Sequence, residues 1–118
     1  MREGFKNLIA WQKAYELAIE IYKITRTFPR HETYGLISQI RRAAVSISGN
    51  IAEGYERLHR KEYVHFLSMA KGSLGELETY LLFSRDLEYM FDIRYQEIDI
   101  KRQETARILK GLIISLQS

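Results

Sequence analysis

The segment QIRRAAVSISGNIAEG, Gln39–Gly54, combines a helical pattern with an unusual number of small side chains. Its apolar residues recur at steps of three and four, which predicts one amphipathic helix. Gly49 lies inside this pattern, and a glycine in a helix interior costs about 1 kcal/mol relative to alanine. The same cost applies to Gly72 and Gly75 further along the chain. We therefore expect close packing against a neighbouring helix to compensate at all three glycines.

Three more helical patterns flank this segment, which predicts an all-α protein with a single domain over residues 1–118. The first pattern has Asn7 as its expected cap and ends before Pro29, the only proline. The fourth begins after Asp92, a good capping residue. The expected bounds of the first three are Leu8–Phe28, Thr33–Arg57 and Arg60–Tyr89. Because the connections are short, neighbouring helices should be antiparallel, which predicts an up-down-up-down four-helix bundle.

One apolar stripe on each helix is the expected core. The stripes comprise Ala10, Ala14, Leu17, Ile21, Ile24 and Phe28; Leu36, Ile40, Ala44, Ile47 and Ile51; Tyr63, Phe66, Ala70, Leu74, Leu77 and Leu81; and Ile98, Thr105, Leu109, Leu112 and Leu116. A domain of this length buries enough surface to fold without a disulfide or a structural metal.

Composition narrows the class of protein further. Hydrophobic residues make up 46% and charged residues 28% of the chain, as in ordinary globular proteins. The absence of cysteine excludes a thiol nucleophile and a zinc–thiolate site. No apolar run approaches the roughly 20 residues that cross a bilayer, and the start of the chain lacks a signal-peptide pattern. We expect a cytoplasmic protein with no membrane contact. The net charge of +3 is spread along the chain, so no single helix is strongly basic.

A second face on three of the helices departs from the pattern of a monomeric bundle, and the second helix adds Val45 and Ala52 to it. On the first helix this face is apolar and aromatic, and on the third it is small and nearly uncharged. The residues are Leu8, Trp11, Tyr15, Ile19 and Tyr22 on the first helix, and Val64, Ser68, Gly72, Gly75, Thr79 and Leu82 on the third. The alternative to an interface is the scattered surface apolarity of any monomer. Because these residues line up, we favour a homo-oligomer in which unlike patches meet and close into a ring.

A line of polar residues follows one flank of the second helix. It consists of Gln39, Arg42, Ser46, Asn50 and Glu53. Arg42 and Glu53 are too far apart to pair directly, but the residues between them could link them through hydrogen bonds. We interpret the line as a structural network that fixes helix register or a subunit contact. A ligand or phosphate site that uses Arg42 is the alternative.

The candidate nucleic-acid contacts cluster around the turn between the second and third helices. They are Arg41, Tyr55, Arg57, His59, Arg60 and Lys61. Basic side chains contact phosphates without reading sequence, and a tyrosine can stack on a base. The alternative is an exposed turn in which cations complement the dipole at a helix C-terminus.

Catalytic motifs are not apparent in the chain. It has no phosphate-binding glycine loop, dinucleotide fingerprint or nucleophile elbow. Glu62 and His65 have the Glu-x-x-His spacing of di-iron bundles, but such sites require two of these pairs and two more glutamates. We therefore expect neither an enzyme nor a cofactor, and keep a metal-binding or enzymatic bundle using Glu62 and His65 as the alternative.

Four stretches that together span most of the chain combine specific motifs: FKNLIAWQKAYELA, FPRHETYGLISQIRRAAVSISGNIAEGYER, KEYVHFLSMAKGSLGELETYL and ILKGLIISL. Through these stretches the chain resembles the four-helix-bundle family of 23S ribosomal RNA intervening sequence proteins. The family-like positions are Gln39, Arg42, Asn50, Glu53, Gly54, Gly72, Ser73, Glu76 and Glu78. The chain is also similar to the accessory variability proteins of diversity-generating retroelements, which bind nucleic acid and a reverse transcriptase.

This resemblance implies a homopentamer. From the double-sided helices and the distributed basic charge, we expect it to act as a non-enzymatic scaffold for structured RNA, for DNA or for a nucleic-acid-processing enzyme. A regulator that acts only with an unknown protein partner is a further alternative. The chain departs from the family pattern at two positions. Ser48 stands where relatives often have proline, which weakens the expectation of a kink in the second helix. His59 stands where they often have a serine cap, which predicts a weaker start to the third helix.

Overall fold

Residues 4–117 are described by the computed structural model, which extends 43 × 26 × 24 Å. A short 3-10 turn, Gly4–Asn7, precedes four helices: α1 (Ile9–Thr25), α2 (Leu36–Tyr55), α3 (Arg60–Asp86) and α4 (Asp92–Gln117). A second 3-10 turn, Arg30–Glu32, lies between α1 and α2. The predicted all-α four-helix fold is confirmed. None of the helices in the described part of the chain is long and apolar enough to cross a membrane.

Each helix packs against the next along the chain, and α4 closes the bundle against α1. Contacts between α2 and α3 show that these helices are antiparallel. The Tyr80 hydroxyl of α3 lies 3.5 Å from the side-chain oxygen of Gln39 on α2. Further along α2, the Ser46 hydroxyl is hydrogen-bonded to the Ser73 hydroxyl of α3. As residue numbers rise along α2, those of the contacting residues on α3 therefore fall.

The core lies along the bundle axis where the four stripes meet. The predicted α1 stripe is buried in full, as are Ile98, Thr105 and Leu109 of α4. Predicted core residues at the helix ends are only half-buried, because fewer neighbours surround them there: Leu36, Tyr63, Phe66, Leu112 and Leu116. Leu67, which was not predicted to be in the core, is completely buried.

Both ends of α1 differ from the prediction. Asn7 belongs to the first 3-10 turn, and Leu8 occupies the cap position without a side-chain hydrogen bond. The helix ends at Thr25, and the next three backbone N–H groups bond to carbonyls three residues back, ending with Phe28 to Thr25 at 3.2 Å. Pro29 explains this tightening, because a proline disfavours helical backbone at the residue before it.

The start of α2 is capped by a carboxylate that the sequence pattern did not reveal. Glu32 accepts the backbone N–H of Leu36 at 3.0 Å and the hydroxyl of Tyr89 at 2.7 Å. The helix consequently begins at Leu36 instead of Thr33. It then continues without a break through Ser48 to Tyr55.

The pKa of Glu32 is held below its ordinary value of 4.5, mainly by the hydrogen bond from the Leu36 N–H and next by that from Tyr89. The stability that the ionised carboxylate contributes is therefore complete above the unfolded-state pKa, and it is lost as pH falls through the lower folded-state pKa. We expect the parent protein to be more stable than Glu32→Gln at neutral pH. This advantage should shrink as pH falls below 4.5 and vanish once the carboxyl is protonated in the folded protein.

Thermal unfolding of the two proteins across this pH range measures the effect. Glu76→Gln, which also removes one negative charge from an exposed position, is the matched control. A difference between the parent and Glu32→Gln that stays constant with pH would contradict the proposed role of the ionised carboxylate.

The C-terminus of α3 has a Schellman motif built without glycine. The backbone N–H of Tyr89 bonds to the Ser84 carbonyl at 2.8 Å, and that of Glu88 to the Arg85 carbonyl at 3.0 Å. Glu88 has φ of +63°, a conformation that glycine adopts far more readily. Because no glycine marks this end, the predicted extension to Tyr89 was too long. At the next helix, Asp92 is the first residue of α4 rather than a cap before it, and its carboxylate accepts the side-chain N–H of Gln96.

Candidate nucleic-acid and subunit interfaces

Three of the predicted nucleic-acid contacts, His59, Arg60 and Lys61, are exposed at the turn where α2 gives way to α3. His59 occupies the cap position of α3 and makes no side-chain capping bond, in line with its departure from the serine pattern. Within residues 4–117, none of the three side chains forms a hydrogen bond or an ion pair. Arg60 and Lys61 lie in the first turn of α3, where the helix dipole is already positive. Arg60 and Lys61 therefore present positive charge at this corner without an ion pair to any described residue, next to the Glu62 carboxylate in the same helical turn.

Arg57 and Tyr55 are already engaged by the fold. The Arg57 guanidinium bonds to the Glu53 carboxylate at 2.8 Å and lies 4.6 Å from the centre of the Phe66 ring. The Tyr55 ring packs edge-on against Tyr63, with ring centres 6.0 Å apart. Tyr55 is half-buried in this contact.

Arg41 lies apart from the other candidate contacts. Its guanidinium donates to the Thr25 hydroxyl at 2.9 Å and covers the Tyr22 ring at 4.6 Å. Sixteen positions separate it from Arg57, which corresponds to about 24 Å along a helix. Arg41 therefore ties α2 to α1 near the opposite end of the bundle.

The predicted polar line on α2 does not form one connected network. Ser46 bonds to the Ser73 hydroxyl and also accepts, through its carbonyl, the side-chain N–H of Asn50 at 2.8 Å. The Glu53 carboxylate accepts a hydrogen bond from Arg57, and the Gln39 side-chain oxygen accepts one from the Tyr80 hydroxyl. Arg42 is exposed and makes no hydrogen bond or ion pair within residues 4–117. The contact between Ser46 and Ser73 is the part of the line that fixes α2 against α3.

The predicted subunit face of α1 forms a continuous aromatic ridge. Leu8 and Trp11 are half-buried against the core, and Trp11 stacks on Tyr15 with ring centres 5.0 Å apart. Beyond Trp11 the ridge reaches solvent, where Tyr15 is 49%, Ile19 40% and Tyr22 40% exposed. Tyr15 and Ile19 therefore present large apolar side chains to solvent on successive turns, whereas the Tyr22 ring is partly covered by the Arg41 guanidinium.

The predicted subunit face of α3 is open as well. Its small residues Ser68, Gly72, Gly75 and Thr79 are exposed, whereas Val64 and Leu82 at its ends are half-buried. A Cβ atom added at either glycine would meet nothing within 4 Å.

A Cβ atom added at Gly49 on α2 would also meet nothing within 4 Å. The expectation that close packing compensates for Gly49, Gly72 and Gly75 is therefore wrong within one chain. Gly54 is the helical glycine at a close helix–helix approach: a Cβ there would lie 2.9 Å from the Phe66 Cβ atom.

The alternative metal site has little support from the geometry. Glu62 and His65 are both exposed and border a shallow groove of about 460 Å³ beside Phe66. Across residues 4–117, no three His, Asp or Glu side chains come together in an arrangement that could hold a metal ion. Two exposed ligands on one helix turn fall short of the carboxylate-rich set that a di-iron bundle uses.

Two groups of charged residues were not singled out from the sequence. Arg102 is buried in α4, where it bonds to Asp99 and Glu78. Lys71, Arg107 and Lys110 border a groove between α3 and α4. These side chains carry no local motif, and only the helix pairing brings them together.

Comparison with known proteins adds the evolutionary context. No curated protein matches the chain. A crystal structure of a protein of unknown function from the S23 ribosomal protein family of Bacteroides thetaiotaomicron VPI-5482 superposes with a TM-score of 0.80. The two chains are 25% identical, and the alignment covers 89% of this chain and 98% of the other. Residues 6–111 match the profile of the 23S rRNA-intervening sequence proteins. This match spans nearly the whole bundle, and the chain therefore belongs to the 23S rRNA-intervening sequence protein family.

Proposed function

We propose that this protein is a non-enzymatic, homo-oligomeric scaffold that binds structured RNA, and that it assembles as a pentamer, as the family resemblance implies. The similar protein from Bacteroides is described as having unknown function, and the family match indicates no catalytic activity. The surfaces of the bundle therefore provide the support for this function.

The observation that carries the proposal is the pair of unlike, uncovered faces on α1 and α3. When a partner removes aligned apolar side chains such as Tyr15 and Ile19 from water, the free energy of the system falls. Gly72 and Gly75 weaken α3 by about 1 kcal/mol each relative to alanine. Their open surroundings would let a bulky side chain of another copy approach the α3 backbone closely. A ridge that fits a different groove makes a heterologous contact, and repetition of such a contact can close a ring.

The RNA-binding part of the proposal rests on the exposed corner at His59, Arg60 and Lys61. Since Arg60 and Lys61 form no ion pair in the described chain, their positive charge is available to phosphate groups. One corner supplies few contacts. Five copies around a ring would multiply the charge and steepen the salt dependence of binding.

Light scattering coupled to size exclusion tests both parts, with a folded RNA hairpin as the probe. We expect the parent protein to elute with the mass of a pentamer, which Ile19→Glu should convert to monomer without loss of helical content. Ile100→Glu is the matched control, because Ile100 is 65% exposed on α4, outside the proposed faces. A parent protein that is monomeric at micromolar concentration would overturn the assembly.

The same measurement with Arg60→Glu/Lys61→Glu tests the corner. The double variant should keep the oligomeric mass and lose at least about tenfold in hairpin affinity at low salt. Hairpin affinity equal to that of the parent would exclude this corner as the contact surface.

A further inference from the structure

A groove of about 510 Å³ runs between α3 and α4, and its walls are strongly cationic. Lys71 projects into it from α3, and Arg107 and Lys110 from α4. Arg102 and Glu78 lie at one end, where their side chains bond to each other at 3.3 Å. Among the charged residues that line the groove, four are basic and Glu78 is the only acid.

The groove has one end at which carboxylates offset the positive charge and one end that is positive. Arg102 is balanced by Glu78 and by Asp99, which accepts its Nε–H at 2.7 Å. From that end, Lys71 lies about 10 Å away along α3 and Lys110 about 12 Å away along α4. Because Glu78 contacts Arg102 and the helices are antiparallel, both lysines lie towards the other end of the groove.

The helix periodicity explains why the charge at this end is uncompensated. Lys71 and Lys110 have no carboxylate three or four positions away, which is the spacing of side-chain pairs on a helix. Arg107 has Glu104 at that spacing, but the Glu104 carboxylate lies 3.8 Å from Lys13 on α1. Within residues 4–117, none of the three cations makes a hydrogen bond or an ion pair.

We propose that this groove binds the phosphate backbone of double-stranded RNA, an inference that rests on the proposed RNA-binding function and specifies its substrate. No aromatic side chain lines the groove, so it offers no surface on which an unpaired base could stack. Duplex RNA is recognised mainly by shape and by contacts to phosphates and 2′-hydroxyls, which cations can supply. A protein partner would need an apolar anchor site, yet Leu74 and Ala106 are the apolar side chains here, and Leu74 is buried.

The groove and the proposed subunit face adjoin on α3 and share Gly75. Lys71 and Gly72 are consecutive residues, so their side-chain directions differ by about 100° around the helix axis. Lys71 lines the groove shared with α4, whereas Gly72 does not. A copy that covers Gly72 but not Gly75 leaves the groove open to RNA, and a copy that covers Gly75 competes with RNA for it.

The test measures binding of a blunt RNA duplex of about 20 base pairs and of a non-complementary single strand of equal length. The variant is Lys71→Glu/Lys110→Glu. The matched control is Lys6→Glu/Arg30→Glu, which reverses two exposed cations elsewhere. We expect the groove variant to lose at least about tenfold in duplex affinity and about 2 in the slope of log affinity against log salt, with a smaller loss for the single strand. The control should stay within about twofold of the parent.

Several outcomes overturn the inference. If Lys71→Glu/Lys110→Glu binds the duplex with the affinity of the parent, the groove is not the binding site. If Arg60→Glu/Lys61→Glu nevertheless weakens hairpin binding, the proposed RNA-binding function still holds without the groove. If the parent protein binds neither the duplex nor the single strand, both the groove site and the proposed RNA-binding function are contradicted. A change in oligomeric mass in the groove variant would show that another copy occupies the groove. Competition by polyglutamate as strong as that by the duplex would indicate an acidic protein partner instead.

Discussion

Gly54→Val is expected to lower the free energy of unfolding by about 3 kcal/mol, because the valine side chain would clash with α3 where α2 and α3 approach closely. An added Cβ atom at this position lies 2.9 Å from the Phe66 Cβ and 3.0 Å from the Tyr63 ring. It also lies 3.1 Å from the backbone oxygen of Tyr63. A side chain could rotate away, but a backbone oxygen within a helix cannot. The two helices would therefore have to separate near their connection.

Urea unfolding followed by circular dichroism measures this effect. Gly49→Val is the matched control, since it makes the same change on the same helix at a position where a Cβ meets nothing within 4 Å. We expect the control to be neutral or to gain a few tenths of a kcal/mol, because valine has a slightly higher helix propensity than glycine. Equal stability of the two variants would contradict the close approach at Gly54.

Arg102→Met is expected to cost about 2–3 kcal/mol, because it leaves a poorly solvated carboxylate without its partner. The Arg102 and Asp99 side chains are 10% and 15% exposed, and their hydrogen bond is 2.7 Å long. Burial of Asp99 opposes ionisation, but the hydrogen bonds from Arg102 and Gln103 outweigh it and hold the pKa below its ordinary value of 3.8. The carboxylate is therefore charged at neutral pH and requires the guanidinium.

A double-mutant cycle separates the pair from the packing of the arginine stem. Methionine keeps much of the apolar contact, and Asp99→Asn removes the charge that Arg102→Met leaves unpaired. We expect Asp99→Asn/Arg102→Met to recover at least half of the stability lost by Arg102→Met alone. If the two single changes add without any recovery in chemical denaturation, the ion pair is not the source of the loss.

The sequence predicts the helices well in their interiors and poorly at their ends. The helical spacing of apolar residues identified all four helices. This spacing can be read from neighbouring residues alone, because each helix buries one face in the core. The ends depend on capping groups that come from elsewhere in the chain. The cap on α2 is completed by Tyr89, far along the sequence, and the turn after α3 uses Glu88 where a glycine would normally mark it.

The candidate sites divide in the same way. His59, Arg60 and Lys61 are adjacent in sequence, so their clustering at an exposed turn could be predicted. Arg41 could not be placed by the same reasoning, because its partners, Thr25 and Tyr22, lie on another helix. Whether it contacts RNA or the protein itself depends on how α1 packs on α2.

Hydrophobic periodicity and short connections were enough to predict an all-α antiparallel bundle and its core stripes, since these follow from near neighbours along the chain. Helix pairing alone decided which glycine is crowded and which stand open, with Gly54 against α3 and Gly72 against solvent. It also brought Lys71 to the same groove as Lys110. The physical reason is that contacts and electric fields depend on distance in space, and residues on different helices come close only after the bundle has packed.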